Sequence, residues 1–314
     1  FAELKQYITD EDQYTSKNAV TTVTIDAQAI DGTGTNGTVA ELITFHTDIR
    51  DAVEDGFKAN AVLDLANVDL LSGGVSDLKS AMTLTDATNL TGLKLTATDS
   101  SISIADANTL SSATNDTVTA TIVESTIEQI LAGGGAGLAA DGGNNAFTID
   151  ISSTTADAGD LASIHALTSQ TVALDQVTTL TGTFAELKQY ITDEDQYTSK
   201  NNITTVTIDA QAIDGTGTNG TVAELITFHT DIRDAGDNHG TPNVDLTNVT
   251  LLSGGHGNLD TIRTTNTFTN KGAVDYTVTG GTINITQANN LSGATTGKVT
   301  ATLANGCLLY TSDA

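Results

Sequence analysis

The sequence predicts a repeat solenoid: right-handed, with stacked coils of about 32 residues, each holding one or two β-strands and a short helix, the strands pairing in parallel. Three observations predict it. Residues 1–52 return as residues 184–235 with only Ala19 and Val20 changed, to Asn202 and Ile203, an offset of 183. Short stretches of period-two apolar residues recur along the chain. Between them, helix-type segments each carry one Leu, with Ile130 filling one slot, at a spacing that averages about 32 residues. A single strand–helix coil cannot bury its apolar face, whereas stacked coils can. The alternative architecture is a pair of tandem, separate α/β domains of about 180 residues, although no Pro- or Ser-rich hinge divides them.

Taken in order, the strands are expected at Val23/Ile25/Ala27, Leu63/Leu65, Leu93/Leu95/Ala97, Val118/Ala120/Ile122, Phe147/Ile149/Ile151, Val172/Leu174, Val206/Ile208, Val244/Leu246 and Val274/Tyr276/Val278. A second strand follows a turn at Val68/Leu70, Ile102/Ile104, Val249/Leu251 and Ile283/Ile285. The helices are marked by Leu4, Leu42, Leu78, Leu110, Ile130, Leu161, Leu187, Leu225, Leu259 and Leu291. Three of them open on a capping box, Thr38 with Glu41, Thr183 with Glu186, and Thr221 with Glu224. Gly37, Gly182 and Gly220 stand just before and permit the sharp turn from strand to helix. Helices of two to three turns are marginal alone and need a sheet to pack on.

The long repeats set the expected domains. Residues 1–183 form a first repeat, expected to be truncated at its start because Phe1 lies where Phe184 lies within the second. Residues 184–306 form a second, incomplete repeat; its looser matches include 67–74 with 248–255 and 101–122 with 282–303. Residues 307–314 read CLLYTSDA, the one-frame translation of a transposase adapter used in sequencing libraries, and are set apart as a non-native tail on a metagenomic fragment.

Composition excludes several classes. Cys307, the one cysteine, lies in that tail, which leaves no disulfide, thiol nucleophile or Cys-based zinc site. The net charge of −27 disfavours nucleic acid and anionic membrane surfaces as partners. No apolar run approaches the ~20 residues of a membrane span. Aromatics make up 4 %, so thin core layers of Val, Ile, Leu and Ala are expected rather than one large aromatic core.

No motif amounts to a catalytic or cofactor site, and no enzyme activity is expected. Gly32–Gly37 and Gly215–Gly220 match GxGxxG, but Asp31 and Asp214 precede them and would repel a pyrophosphate. Gly293–Lys298 lacks one spacer of a P-loop, with Val299 where Ser or Thr would bind magnesium. Ca²⁺ is the one cation the side chains suggest: Asp26, Asp31 and Asn36, their copies Asp209, Asp214 and Asn219, and the triplets Asp10-Glu11-Asp12 and Asp193-Glu194-Asp195 offer oxygens, although solvated carboxylates are the plainer reading. Gly133–Gly143 reads as a glycine-rich loop. His46, His165, His229, His239 and His256 are scattered, with His46 and His229 expected at a buried helix edge. Thr-x-Thr runs such as Thr117/Thr119/Thr121 suggest an ice-binding array, but Lys94, Asp150, Asp175 and Asp245 interrupt the same face.

The acidic, Cys-free, Thr/Ala/Asp-rich and internally duplicated residues 1–306, with their short Gly-[Thr/Gly]-[Phe/Val]-x-[Glu/Asp]-Leu motif, resemble the repeat regions of giant bacterial surface and secreted, adhesin-like proteins. That resemblance implies an extracellular or cell-surface location and a structural spacer or stalk in adhesion, surface-layer or matrix function. The implied partners are neighbouring repeats of the same chain and cell-surface or matrix glycans. The competing readings are a repeat module that itself binds glycan or ice, and a solenoid enzyme acting on polysaccharide. Scarce basic and aromatic residues weigh against the enzyme.

Overall fold

The computed structural model describes the chain except residues 11–12, 15–16, 27–28, 51–60, 141–143, 235–238 and 305–314. The suspected adapter tail therefore lies outside the described residues, as do Glu11, Asp12 and Ala27. Contacts divide the chain into two compact units, Phe1–Ile149 with Ile164–Thr171, and Asp150–Ser163 with Val172–Ala314.

The elements run α1 (Ala2–Thr9), β1 (Thr22–Thr24), β2 (Ala29–Ile30), α2 (Val39–Asp48), β3 (Val62–Asp64), β4 (Leu70–Gly73), α3 (Val75–Met82), β5 (Ala87–Thr88), β6 (Lys94–Ala97), α4 (Ile104–Ala113), β7 (Val118–Thr121), α5 (Ile127–Ile130) and β8 (Ala146–Asp150). They continue as β9 (Thr155–Asp157), α6 (Ala158–His165), β10 (Val172–Ala173), β11 (Thr179–Gly182), α7 (Phe184–Thr192), β12 (Tyr197–Thr198), β13 (Thr205–Ile208), β14 (Gln211–Ile213), α8 (Val222–Asp231), β15 (Asn243–Asp245), β16 (Val249–Gly254), α9 (His256–Thr264), β17 (Phe268–Thr269), β18 (Asp275–Ile283), α10 (Ile285–Ser292) and β19 (Val299–Leu303). The fold is α/β with four mostly parallel sheets, and none closes into a barrel among the described residues.

In the first unit, β1, β3 and β5 lie in one row, and β2, β4, β6, β7 and β8 in another. In the second, β9, β11, β13, β15 and β17 form one row, and β14, β16, β18 and β19 another. Register aligns like with like. Ala156, Leu180, Val206, Val244 and Phe268 pair in succession across five parallel strands, and none is more than 1 % exposed. Burying each Val or Leu of such a ladder contributes about 1.5–3 kcal/mol. The opposite face carries Asp157, Thr181, Thr207, Asp245 and Thr269 in matched register, as the period of two demands.

The helices cover these sheets. Leu42, Leu78, Leu110, Ile130, Leu161, Leu187, Leu225, Leu259 and Leu291 are all 0 % exposed, whereas Leu4, the first of the series, is only half-buried on α1. The three expected capping boxes form on α2, α7 and α8. Two more appear, Thr126 with Gln129 on α5 and Asn284 with Gln287 on α10. Gly37 and Gly220 adopt φ of 75° and 70°, and a Cβ on Gly220 would lie 2.5 Å from the Phe184 ring.

Two expected second strands are shorter than the alternation suggests. Ile102 makes an isolated bridge to Ile122, and β18 ends at Ile283. Ile104 and Ile285 instead begin α4 and α10. The cause is the residue between: the Ser103 and Asn284 side chains accept from Asp106 N and Gln287 N, which satisfies a helix-start amide and ends the strand.

Candidate functional site

The glycine loops are closed on themselves. Gly32 N donates to Gly37 O at 2.8 Å, and Gly215 N to Gly220 O at 2.7 Å. Inside each loop one aspartate oxygen collects the donors. Asp31 Oδ1 accepts from Thr33 N (2.9 Å), Thr33 Oγ1 (2.7 Å) and Asn36 Nδ2 (3.0 Å). Asp214 Oδ1 does the same with Thr216 N (3.0 Å), Thr216 Oγ1 (2.7 Å) and Asn219 Nδ2 (3.1 Å). These bonds hold both carboxyls below the usual range, led by Asn36 at Asp31 and by Thr216 at Asp214. The amides of Asn36 and Asn219 are thus turned to donate, with their NH₂ groups toward the aspartates.

At the helix starts beyond these loops, carboxylates fill the place where a dinucleotide-binding turn would hold phosphate. Glu41 Oε2 accepts from Thr38 N at 2.8 Å, and Glu224 Oε2 from Thr221 N at 2.7 Å. The other oxygen of each reaches the preceding helix: Lys5 to Glu41 at 2.7 Å and Lys188 to Glu224 at 2.8 Å. The GxGxxG stretch therefore closes a turn, and the Thr–Glu pair after it caps a helix and links it to the preceding one.

The second unit gathers the one carboxylate group among the described residues with metal-like spacing. Asp157 at the end of β9, Glu186 in the first turn of α7 and Asp209 after β13 place oxygens within 4.8 Å of one another. Successive rungs bring them together, since Asp157 pairs with Thr181 and Asp209 N donates to Gly182 O at 2.9 Å. Burial raises the Asp209 carboxyl, and the Asp157 and Glu186 charges add to it. Asp160 is raised by burial and the same two neighbours. Several of the oxygens already have protein donors: Asp157 Oδ1 accepts from Gly159 N at 2.9 Å, and Glu186 Oε2 from Thr183 N at 2.8 Å. Chemically the arrangement concentrates negative charge and oxygen atoms on one turn. The sequence singles out Asp209, but not its grouping with Glu186 and Asp157, because strand register joins residues 23 and 52 positions away.

A buried polar group lies elsewhere in the second unit. Lys200 is 6 % and His239 5 % exposed. Lys200 Nζ donates to Glu194 O at 3.2 Å and lies 3.5 Å from Glu194 Oε2, and His239 Nε2 stands 3.5 Å from the same oxygen. Tyr190 stacks on Tyr197 with ring centroids 5.0 Å apart. Burial pushes both phenols up, Tyr197 to about 12. The group ties the chain after α7 to the strand region near His239.

The remaining candidates are dispersed. His46 and His229 occupy inner helix edges as expected, Nε2 lying 2.7 Å from Thr85 O and from Thr267 Oγ1. Burial lowers both imidazoles. Asp10 and Asp193 end α1 and α7, each accepting from a glutamine one turn earlier. Within the glycine-rich stretch, Asn108 accepts from Ala139 N and donates to Gly137 O. Gly293 is the C-cap of α10. His165 and His256 sit on α6 and α9, apart from any carboxylate group of metal-like spacing among the described residues. No described helix is long and apolar enough to cross a membrane. Compared with protein-family models, curated proteins and solved structures, the chain matches none.

Proposed function

We propose that this chain is a structural spacer, a stalk segment of a large, extracellular, repetitive bacterial protein, folded as a right-handed solenoid of short coils. One observation carries the reading. The two copies of the 52-residue stretch build the same turn, the same capped helix and the same lysine–glutamate cross-link. A unit whose bonds repeat in this way extends a chain without changing its construction. Much of the side-chain chemistry on view goes into caps, turns and links between helices, which suits a repeated unit. The acidic surface keeps a long chain soluble and apart from its neighbours.

The test is dimensional. Chains of one, two and three 183-residue repeats are compared by small-angle X-ray scattering. A solenoid advances about 4.8 Å per coil, so each added repeat lengthens the particle by about 27 Å at constant cross-section. Growth in cross-section, with little gain in length, would remove the spacer reading. Specific retention on a glycan array would favour the ligand-binding module instead.

Ca²⁺ belongs to the same proposal as a stiffening ion, with Asp157, Glu186 and Asp209 as the ligands to test. Melting residues 1–306 in NaCl and CaCl₂ at matched ionic strength separates screening from binding. Equal midpoints mean screening alone; a Ca²⁺-specific rise abolished by Asp209→Asn means a bound ion.

A further inference from the structure

The same sequence is covered in one copy and open in the other. In the second unit β13 lies between β11 and β15, and Leu180 of β11 pairs with Val206. Thr204 N donates to Thr178 O and Asp209 N to Gly182 O, each at 2.9 Å. Phe184 and Leu187 are 0 %, Tyr190 2 %, Ile203 1 % and Val206 0 % exposed. In the first unit β1, the copy of β13, ends its row, with β3 on one side and no strand on the other among the described residues. α1, the copy of α7, has no fully buried residue. Leu4, Tyr7, Ile8, Val23, Phe45 and Ile49 line an open apolar groove beside that edge. The start of α1 also differs: Phe1 is its N-cap, without a side-chain cap bond, whereas Thr183 caps α7.

We propose that this edge and groove form a docking surface for a further repeat coil of the chain's own type, one that adds a strand like β11 in parallel to β1 and ends in a capping threonine. In the second copy β11 holds the equivalent place beside β13. Its Thr-Leu-Thr-Gly strand supplies the missing backbone partners, its leucine enters the apolar layer, and the following threonine caps the helix. The groove is mainly apolar and the edge backbone has the register that such a strand matches. The inference stands on the comparison of the two copies and holds whether or not the chain is a spacer.

The test places residues 150–183 directly ahead of Phe1 in the full chain, which recreates the Thr183–Phe184 junction. Amide hydrogen exchange is read at Thr21 and Asp26, the counterparts of Thr204 and Asp209. The expected result is slowing of at least about 100-fold at both, independent of protein concentration, and its loss when the added coil carries Leu180→Asp. Exchange unchanged from the original chain would overturn the proposal. Slowing in the original chain that grows with concentration would also overturn it, and would assign the surface to another molecule instead. Should the extended chain not fold, a peptide of residues 172–183 is titrated into the original chain to 1 mM. Shifts confined to α1 and β1 then support the surface, and no shift overturns it.

Discussion

Lys188 on α7 donates to Glu224 on α8 across 2.8 Å, although 36 positions separate them. The same glutamate closes the capping box of its own helix. One carboxylate therefore starts a helix and links it to the preceding one, and Glu41 does the same with Lys5. The helix layer is held by such paired roles as well as by its buried leucines.

The first prediction concerns pH. Lys188, then the amide and hydroxyl of Thr221, pull the Glu224 carboxyl from its ordinary 4.5 down to about 2. A carboxyl lowered in the fold stabilises fully above its unfolded value, and that contribution is lost as pH falls through the folded one. Lys188→Met should cost about 0.2–1 kcal/mol at pH 7, the range for an exposed pair. The cost should shrink toward zero near pH 2. Urea unfolding at both pH values checks this, and an equal cost at the two would refute the electrostatic link.

Losing a cap has a size set by its bonds. Thr221→Ala removes the acceptor for Glu224 N and should cost about 0.5–2 kcal/mol. Thr221→Ser should recover most of it, since the hydroxyl remains. Calorimetry that shows no difference between the alanine and serine variants would remove the cap from the account.

Two glycines in one loop should behave differently. Gly217 has φ 54° and open space about it, so Gly217→Ala adds backbone strain of about 1–2 kcal/mol. Gly220→Ala adds a collision with the Phe184 ring to a φ of 70°. The second variant should lose more, and Phe184→Leu should ease the difference. Equal losses in chemical denaturation would show that the ring is not the obstacle.

The acidic group predicts a gain. Burial, then Asp157 and Glu186, raise the Asp209 carboxyl in the fold. A raised carboxyl favours the fold below its ordinary 3.8 and loses that advantage as pH rises through the folded value. Asp209→Asn should therefore raise the melting midpoint at pH 7 in Ca²⁺-free buffer, and the gain should vanish by pH 3. A lowered midpoint at pH 7 would mean that the carboxylate makes a favourable contact the cluster geometry does not show.

Much of this architecture was legible in the sequence. The Leu series marked the buried helix face from Leu42 to Leu291, and the Thr–Glu spacing marked three helix starts, because both signals are local and periodic. Some strands with a single apolar side chain were not legible. β11, with Leu180 as its one apolar side chain, and β17, with Phe268, show no apolar alternation. Asn89, Ser199 and Asn270 also escaped notice, although each turns the chain at φ near 60° before a 3₁₀ turn.

Sequence alone determined the repeat, which is read by matching letters, and the helix caps and alternation of faces, which depend on residues a few positions apart. Tertiary structure alone decided which strands are neighbours and in what register. That register put Asp157, Glu186 and Asp209 on one turn. It also gave identical residues different fates, with Val206 buried in a strand beside β11 and Val23 half-buried at an open edge. The physical reason is that parallel pairing is non-local: a strand's burial depends on which strand lies beside it, and identical sequences do not carry their neighbours with them.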